Sequence, residues 1–129
     1  MVNVDGFSYA TMTQPISSTP LVPAKASPSG LTAKFFRGLG DPTRVRILEL
    51  LMDRERAVGE LVEETGVLQG RLSSHLACLR WCGFVTSRRQ GRQVFYSLAD
   101  GRVPALLELA RGFLEERGDA VEMCRVIDG

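Results

Sequence analysis

Only one stretch of this chain alternates apolar residues with a period of two. Phe84 and Val85 begin a run that reaches Arg89, Gln90-Gly91 make a short turn, and Val94, Tyr96 and Leu98 return with Phe95 on the opposite face. This pattern predicts a β-hairpin. On either side of it the apolar spacing is helical, so the hairpin has no long strands to join and must pack on helices. The expectation is a mainly α chain carrying one β-hairpin.

The helices are legible from spacing and stops. Leu31, Phe35, Phe36 and Leu39 form a first helical face that Gly40 closes. Asp41 can cap a second helix with Pro42 at its first position, and Val45, Ile47, Leu48, Leu51 and Met52 supply its buried side before it ends near Asp53. A short third helix carries Val58, Leu61 and Val62 inward and Glu60, Glu63 and Glu64 outward, and Gly66 breaks it. The fourth starts near Leu68 or Gln69 and runs to Cys82, with Leu72, Leu76 and Leu79 inward and Gly83 as terminator. Two helices joined by a short Gly-containing turn and followed by a hairpin have the layout of a winged helix-turn-helix. Asp100 can cap a last helix in which Val103, Leu106, Leu107, Ala110, Phe113 and Leu114 share a face that needs a cover.

These elements divide the 129 residues into three parts. Residues 1–29, with Pro15, Pro20, Pro23 and Pro28 among Ser and Thr, read as a disordered arm. Residues 30–118 form one compact domain, and 119–129 a tail containing Cys124. No apolar run approaches the ~20 residues of a membrane helix. No basic segment leads into an apolar stretch at the start, so a cytoplasmic protein with no membrane partner is expected.

Net charge is only +1, yet its distribution is uneven. Between Glu64 and Asp100 there is no acidic residue, while Arg71, Arg80, Arg88, Arg89 and Arg92 all fall there. A cationic block over a helix-turn-helix and hairpin suits a polyanion, although arginines on a solvated surface also serve solubility.

Three groups of residues carry a family resemblance. They are Gly38-Leu39-Gly40-Asp41-Pro42-Thr43-Arg44-Val45-Arg46-Ile47-Leu48, then Leu72-Ser73-Ser74-His75-Leu76-Ala77-Cys78-Leu79-Arg80, and Gly91-Arg92-Gln93-Val94-Phe95-Tyr96-Ser97-Leu98. With the order of elements from about Phe35 to Asp100, they resemble the ArsR/SmtB family of metal-responsive repressors. Cys78-Leu79-Arg80-Trp81-Cys82-Gly83, with a third cysteine in the tail, is most similar to the CmtR type of cadmium and lead sensors. A mercury-responsive relative with the same three thiols would look the same. The resemblance implies a homodimer, with first and last helices packing across the two-fold axis, that represses by binding double-stranded operator DNA. Leu68 and Gly70 depart from the family, which often has Ser or Thr at the first position and Ser at the second.

A recognition helix reads base edges with its first turns while its neighbours hold phosphates, which points to Gln69, Gly70, Arg71, Ser73, Ser74 and His75. Arg88, Arg89, Gln90 and Arg92 in the wing, and Arg80, are expected to track backbone phosphate or the minor groove. A winged helix used for protein contacts is the competing use of this surface.

Cys78 and Cys82 are four apart on one helix, so one ion can reach both. Cys124 lies 42 positions beyond Cys82, and only a tail folding back from its own or the partner subunit could deliver it. Three thiolates without a nearby carboxylate or second histidine favour Cd(II), Pb(II) or Hg(II) over zinc, and no organic cofactor is implied. His75 is the only histidine, so the family's carboxylate and histidine zinc site on the last helix cannot be built. Ala57-Val58-Gly59-Glu60-Leu61 occupies the place of cysteines on helix three in other members. The expected function is therefore a repressor that leaves its operator when a soft metal binds Cys78, Cys82 and Cys124. Three readings compete: small buried cysteines without a role, a thiol-redox switch on the same fold, and a cysteine-dependent enzyme. The enzyme is disfavoured because no Asp or Glu is near Cys78 and His75 in the sequence to orient the imidazole.

Overall fold

The computed structural model describes residues 27–128, so the expected arm up to residue 26 lies outside the described residues. The chain divides into two units, 1–37 and 38–129. In the first unit Ser27 caps α1 (Pro28–Leu39), its hydroxyl accepting from the Gly30 N–H at 3.0 Å, so this helix begins inside what the sequence assigns to the arm. The Phe35 and Phe36 rings meet edge to face with centroids 5.2 Å apart, and both side chains are exposed.

In the second unit Asp41 caps α2 (Pro42–Asp53), as expected: its Oδ1 accepts from the N–H groups of Thr43 (2.8 Å) and Arg44 (3.2 Å). β1 (Arg56–Ala57) follows, then α3 (Val58–Thr65), α4 (Gln69–Trp81), β2 (Val85–Gln90), β3 (Gln93–Leu98), α5 (Arg102–Met123) and α6 (Arg125–Asp128). The sheet is antiparallel in the order β1-β3-β2, with Arg56 opposite Tyr96 and Val85 opposite Leu98. The hairpin loop is Gly91-Arg92, one residue later than the sequence reading. Gly91 takes φ 63°, a left-handed conformation that glycine adopts without strain.

Ile47 and Leu48 of α2, Leu61 of α3, and Leu72, Leu76 and Leu79 of α4 are the most deeply buried side chains. Burial of each contributes about 1.5–3 kcal/mol. Phe84, Val85 and Val103 complete the core with Leu39, Leu50 and Leu51. These leucine and isoleucine side chains pack α4 against α2 and α3 and leave its other face outward.

Besides the early start of α1, three elements differ from expectation: β1, the end of α5, and α6 (Arg125–Asp128) where only a tail is expected. β1 was not foreseen, because two residues have no period. It forms where the Arg56 guanidinium is buried, donating to the carbonyls of Leu50 (3.0 Å) and Arg54 (3.3 Å) and to Glu64 Oε1 (2.8 Å). The last helix does not stop near Gly118 but continues to Met123. Gly118 costs a helix only about 1 kcal/mol relative to alanine, and the residues around it, Glu115, Glu116, Arg117, Ala120, Glu122 and Met123, are mostly good helix formers. Asp100 still serves that helix, its Oδ1 accepting from the Arg102 N–H at 2.8 Å, although Gly101 is the cap residue. Along α5, Leu106 and Leu107 pack on the core, whereas Leu109, Phe113 and Leu114 are exposed. No described helix is long and apolar enough to cross a membrane.

Candidate nucleic-acid interface and thiolate pair

Gly66, with φ 72°, ends α3 in the left-handed conformation, and its N–H bonds to the Val62 carbonyl at 2.9 Å. The chain then turns through Val67 and Leu68 into α4. Leu68 stands at the N-cap with no side chain able to accept a hydrogen bond and is 82% exposed. The first N–H groups of α4 are left without a side-chain cap.

Gln69, Gly70, Arg71, Ser73 and Ser74 are all exposed on the opening turns of α4, as base-edge readers would have to be. Gln69 and Ser73 face Arg92, Gln93, Val94 and Tyr96 of the hairpin, and Val58 and Gly59 of α3, across a groove of about 410 Å³. Helix and wing therefore line one concave surface. Arg71 and Arg92 are exposed and form no ion pair with a described residue.

The other wing residues are engaged with the protein itself. Arg88 makes two hydrogen bonds to Glu55 (2.8 and 2.7 Å), donates to Gln90 Oε1 (2.7 Å) and lies 4.7 Å from the Phe95 ring centroid. Those bonds from Arg88 hold the Glu55 carboxyl below the usual carboxylate range. Arg89 Nε donates to the Gly91 carbonyl at 3.4 Å, and Arg80 Nη1 to Ser87 Oγ at 3.1 Å. All three arginines remain exposed. Arg88 is already satisfied on several sides, and stiffens the wing.

His75 departs from the expected position. Its side chain is 12% exposed, with Nδ1 4.0 Å from Asp41 Oδ1, so in the protomer it faces the start of α2 instead of open solvent. No Asp or Glu is near His75 in the sequence, but the fold brings Asp41 to it from 34 positions away. Burial by itself would raise the Asp41 carboxyl. The N–H groups of Arg44 and Thr43, with the charges of His75 and Arg44, outweigh it and hold the carboxyl below its ordinary value.

Cys78 and Cys82 are one turn apart: the Cys82 N–H bonds to the Cys78 carbonyl at 3.0 Å, and Cys82 closes α4 as its cap residue. Cys78 is half-buried and Cys82 exposed, and neither is in a disulfide. Cys124 is the half-buried cap residue of α5, not part of a loose tail. No three His, Cys, Asp or Glu side chains among the described residues of one protomer are grouped so that they could hold a metal. The pair on α4 offers two sulfur donors one turn apart, a donor type that suits soft ions.

One residue of this site was missed in the sequence. Arg44, in the first turn of α2, donates through Nη1 to Cys78 Sγ at 3.1 Å and to the Gly38 carbonyl at 3.3 Å. Its Nε is buried without a hydrogen-bond partner among the described residues, an arrangement that costs about 1–3 kcal/mol. Only the fold brings positions 44 and 78 together.

An exposed helix end in a helix-turn-helix, flanked by a cationic wing over one groove, is the arrangement of a winged-helix DNA-binding transcriptional regulator. Residues 41–87 match the family described as "Bacterial regulatory protein, arsR family". A "Probable mercury resistance operon repressor" of Streptomyces lividans is 44% identical over 98 residues, covering 76% of this chain and 78% of that protein. The "HTH-type transcriptional regulator CmtR" of Mycobacterium bovis is 42% identical over 104 residues, 70% of this chain and 88% of that one. The solution structure of the homodimeric winged helix-turn-helix domain of Mb0332 from Mycobacterium bovis is similar at TM-score 0.63 and 30% identity, covering 69% of this chain and 82% of that one. The chain belongs to the ArsR family of bacterial regulators, with a probable mercury resistance operon repressor and the regulator CmtR among its relatives.

Proposed function

We propose that this protein is a cytoplasmic repressor that binds operator DNA as a homodimer in its metal-free form and leaves it when a soft ion, Cd(II), Pb(II) or Hg(II), occupies cysteine thiolates. The carrying observation is that α4 exposes Gln69, Arg71 and Ser73 at its start and holds Cys78 and Cys82 one turn apart at its end. Gln69, Arg71, Ser73 and Ser74 meet base edges, with Gly70 allowing close approach, and Arg92 with Arg89, Gln90, Arg80 and Arg88 faces the phosphates. Cys124 is the third donor, from its own or the partner subunit. The exposed Phe113 and Leu114 of α5 support a dimer surface. Residues 30–118 form the DNA-binding domain, and 119–129, the end of α5 and α6, serve to deliver Cys124.

When bound, the ion supplies a bond to each thiolate; everything else is done by the chain. The buried leucines hold α4 in register, its opening turns address the groove, and the wing adds electrostatic affinity. Because the same helix bears ligands and readers, ion and operator are coupled by a free energy typically ~1–3 kcal/mol. Operator titration of the wild type and of Cys78→Ser, with and without each of the three ions, tests this. Release by at least one ion in the wild type and none in the variant is expected. An undiminished response in the variant removes the site.

The exposure of Cys82 favours one further reading, in which peroxide oxidation of the thiols releases DNA. Mass spectrometry after mild peroxide, in parallel with operator binding, separates it from metal sensing.

A further inference from the structure

Two polar contacts link α4 to the start of α2, one from the middle of the recognition helix and one from the turn after it. Asp41 lies 4.0 Å from His75, and Arg44 donates to Cys78 Sγ at 3.1 Å. His75 and Cys78 are three positions apart, and so are Asp41 and Arg44, so the contacts join matching faces of the two helices. The apolar side chains around Leu72, Leu76 and Leu79 press the helices together without direction, whereas these contacts depend on particular atoms.

We propose that Arg44 is a positioning residue that reports the state of the Cys78 sulfur to the junction of α1 and α2. Its one hydrogen-bonding nitrogen, Nη1, serves both Cys78 Sγ and the Gly38 carbonyl, so the last turn of α1, the first turn of α2 and the closing turns of α4 meet at a single guanidinium group. The proposal rests on Cys78 being a sensing thiol. Once the three thiols give their protons to solvent and share one dication, the charge of the site goes from 0 to −1, and the Cys78 sulfur becomes a stronger acceptor for the guanidinium. Arg44 Nη1 is then drawn from the Gly38 carbonyl towards Cys78 Sγ. That shift loosens the link to Gly38 and changes how α4 settles against α2. The opening turns of α4 move with the rest of the rod, which changes how they meet DNA.

The test uses the full chain and the variants Arg44→Met, Cys78→Ala and their double. In the metal-free protein, thermal melts report the contact itself: the two single losses in Tm should sum to clearly more than the loss in the double variant. Additive losses overturn the proposal. Operator titrations with and without Cd(II) then give a ratio in which any uniform effect of the substitution on DNA affinity cancels. That ratio should fall at least fivefold in Arg44→Met relative to wild type, while the ultraviolet absorbance of Cd(II)-thiolate bonds shows the same number of ions bound. An unchanged ratio overturns the proposal and leaves the sensing function standing. No release from the wild type by Cd(II), Pb(II) or Hg(II) overturns the sensing function and this proposal with it. If Arg44→Met does not fold, Arg44→Gln takes its place under the same outcomes.

Discussion

The two ends of α4 are built in opposite ways. Its opening turns have no side-chain cap, and Gln69, Arg71, Ser73 and Ser74 stand in solvent. Its closing turns are fastened: His75 faces Asp41, Cys78 accepts from Arg44, and the Cys82 N–H returns to the Cys78 carbonyl. Between them Leu72, Leu76 and Leu79 anchor the helix in the core. An open end is free to meet a large polyanion. On the proposed function, a fastened end would register a change at one sulfur, and the helix in between would carry it as a rigid body.

The contrast can be broken in four places. Removing the anchor has the largest effect: Leu76→Ala should cost about 2–5 kcal/mol of stability, read from urea unfolding. At the open end, Arg71→Ala should weaken operator binding by about 1–3 kcal/mol while leaving the fold-change on adding metal unaltered, because the sulfurs are untouched. At the fastened end, Asp41→Ala removes a helix cap and should cost about 1 kcal/mol. Since the Asp41 carboxyl titrates below its unfolded value, its contribution is complete above about pH 4 and fades as pH falls through the folded value. Asp41→Ala should therefore show a shallower loss of Tm below pH 4 than the wild type. The smallest effect belongs to Arg92→Ala, which should reduce the slope of log K against log salt by about 0.9 if it holds one phosphate.

The open end was legible in the sequence and much of the fastened end was not. Leucines at helical spacing and a single alternating stretch are local patterns, so α4 and the hairpin can be read within a window of a few turns. Asp41 as a cap is local too. The partnership of Arg44 with Cys78 spans 34 positions, and Asp41 with His75 the same distance, so neither leaves a trace in spacing. β1 depends on Arg56 reaching the Leu50 carbonyl and Glu64, which gives two residues no pattern of their own. Gly118 reads as a helix stop because glycine so often ends helices, yet good helix formers on both sides carry α5 past it. Cys124 was placed in a tail for that reason and instead ends α5.

The claim that one helix both senses and reads is tested most directly by titrating the chosen ion into the protein alone and into its operator complex. If the sites are coupled, DNA weakens ion binding by the same factor by which the ion weakens DNA binding, and the factor vanishes in Cys78→Ser. Equal ion affinity with and without operator would contradict the account.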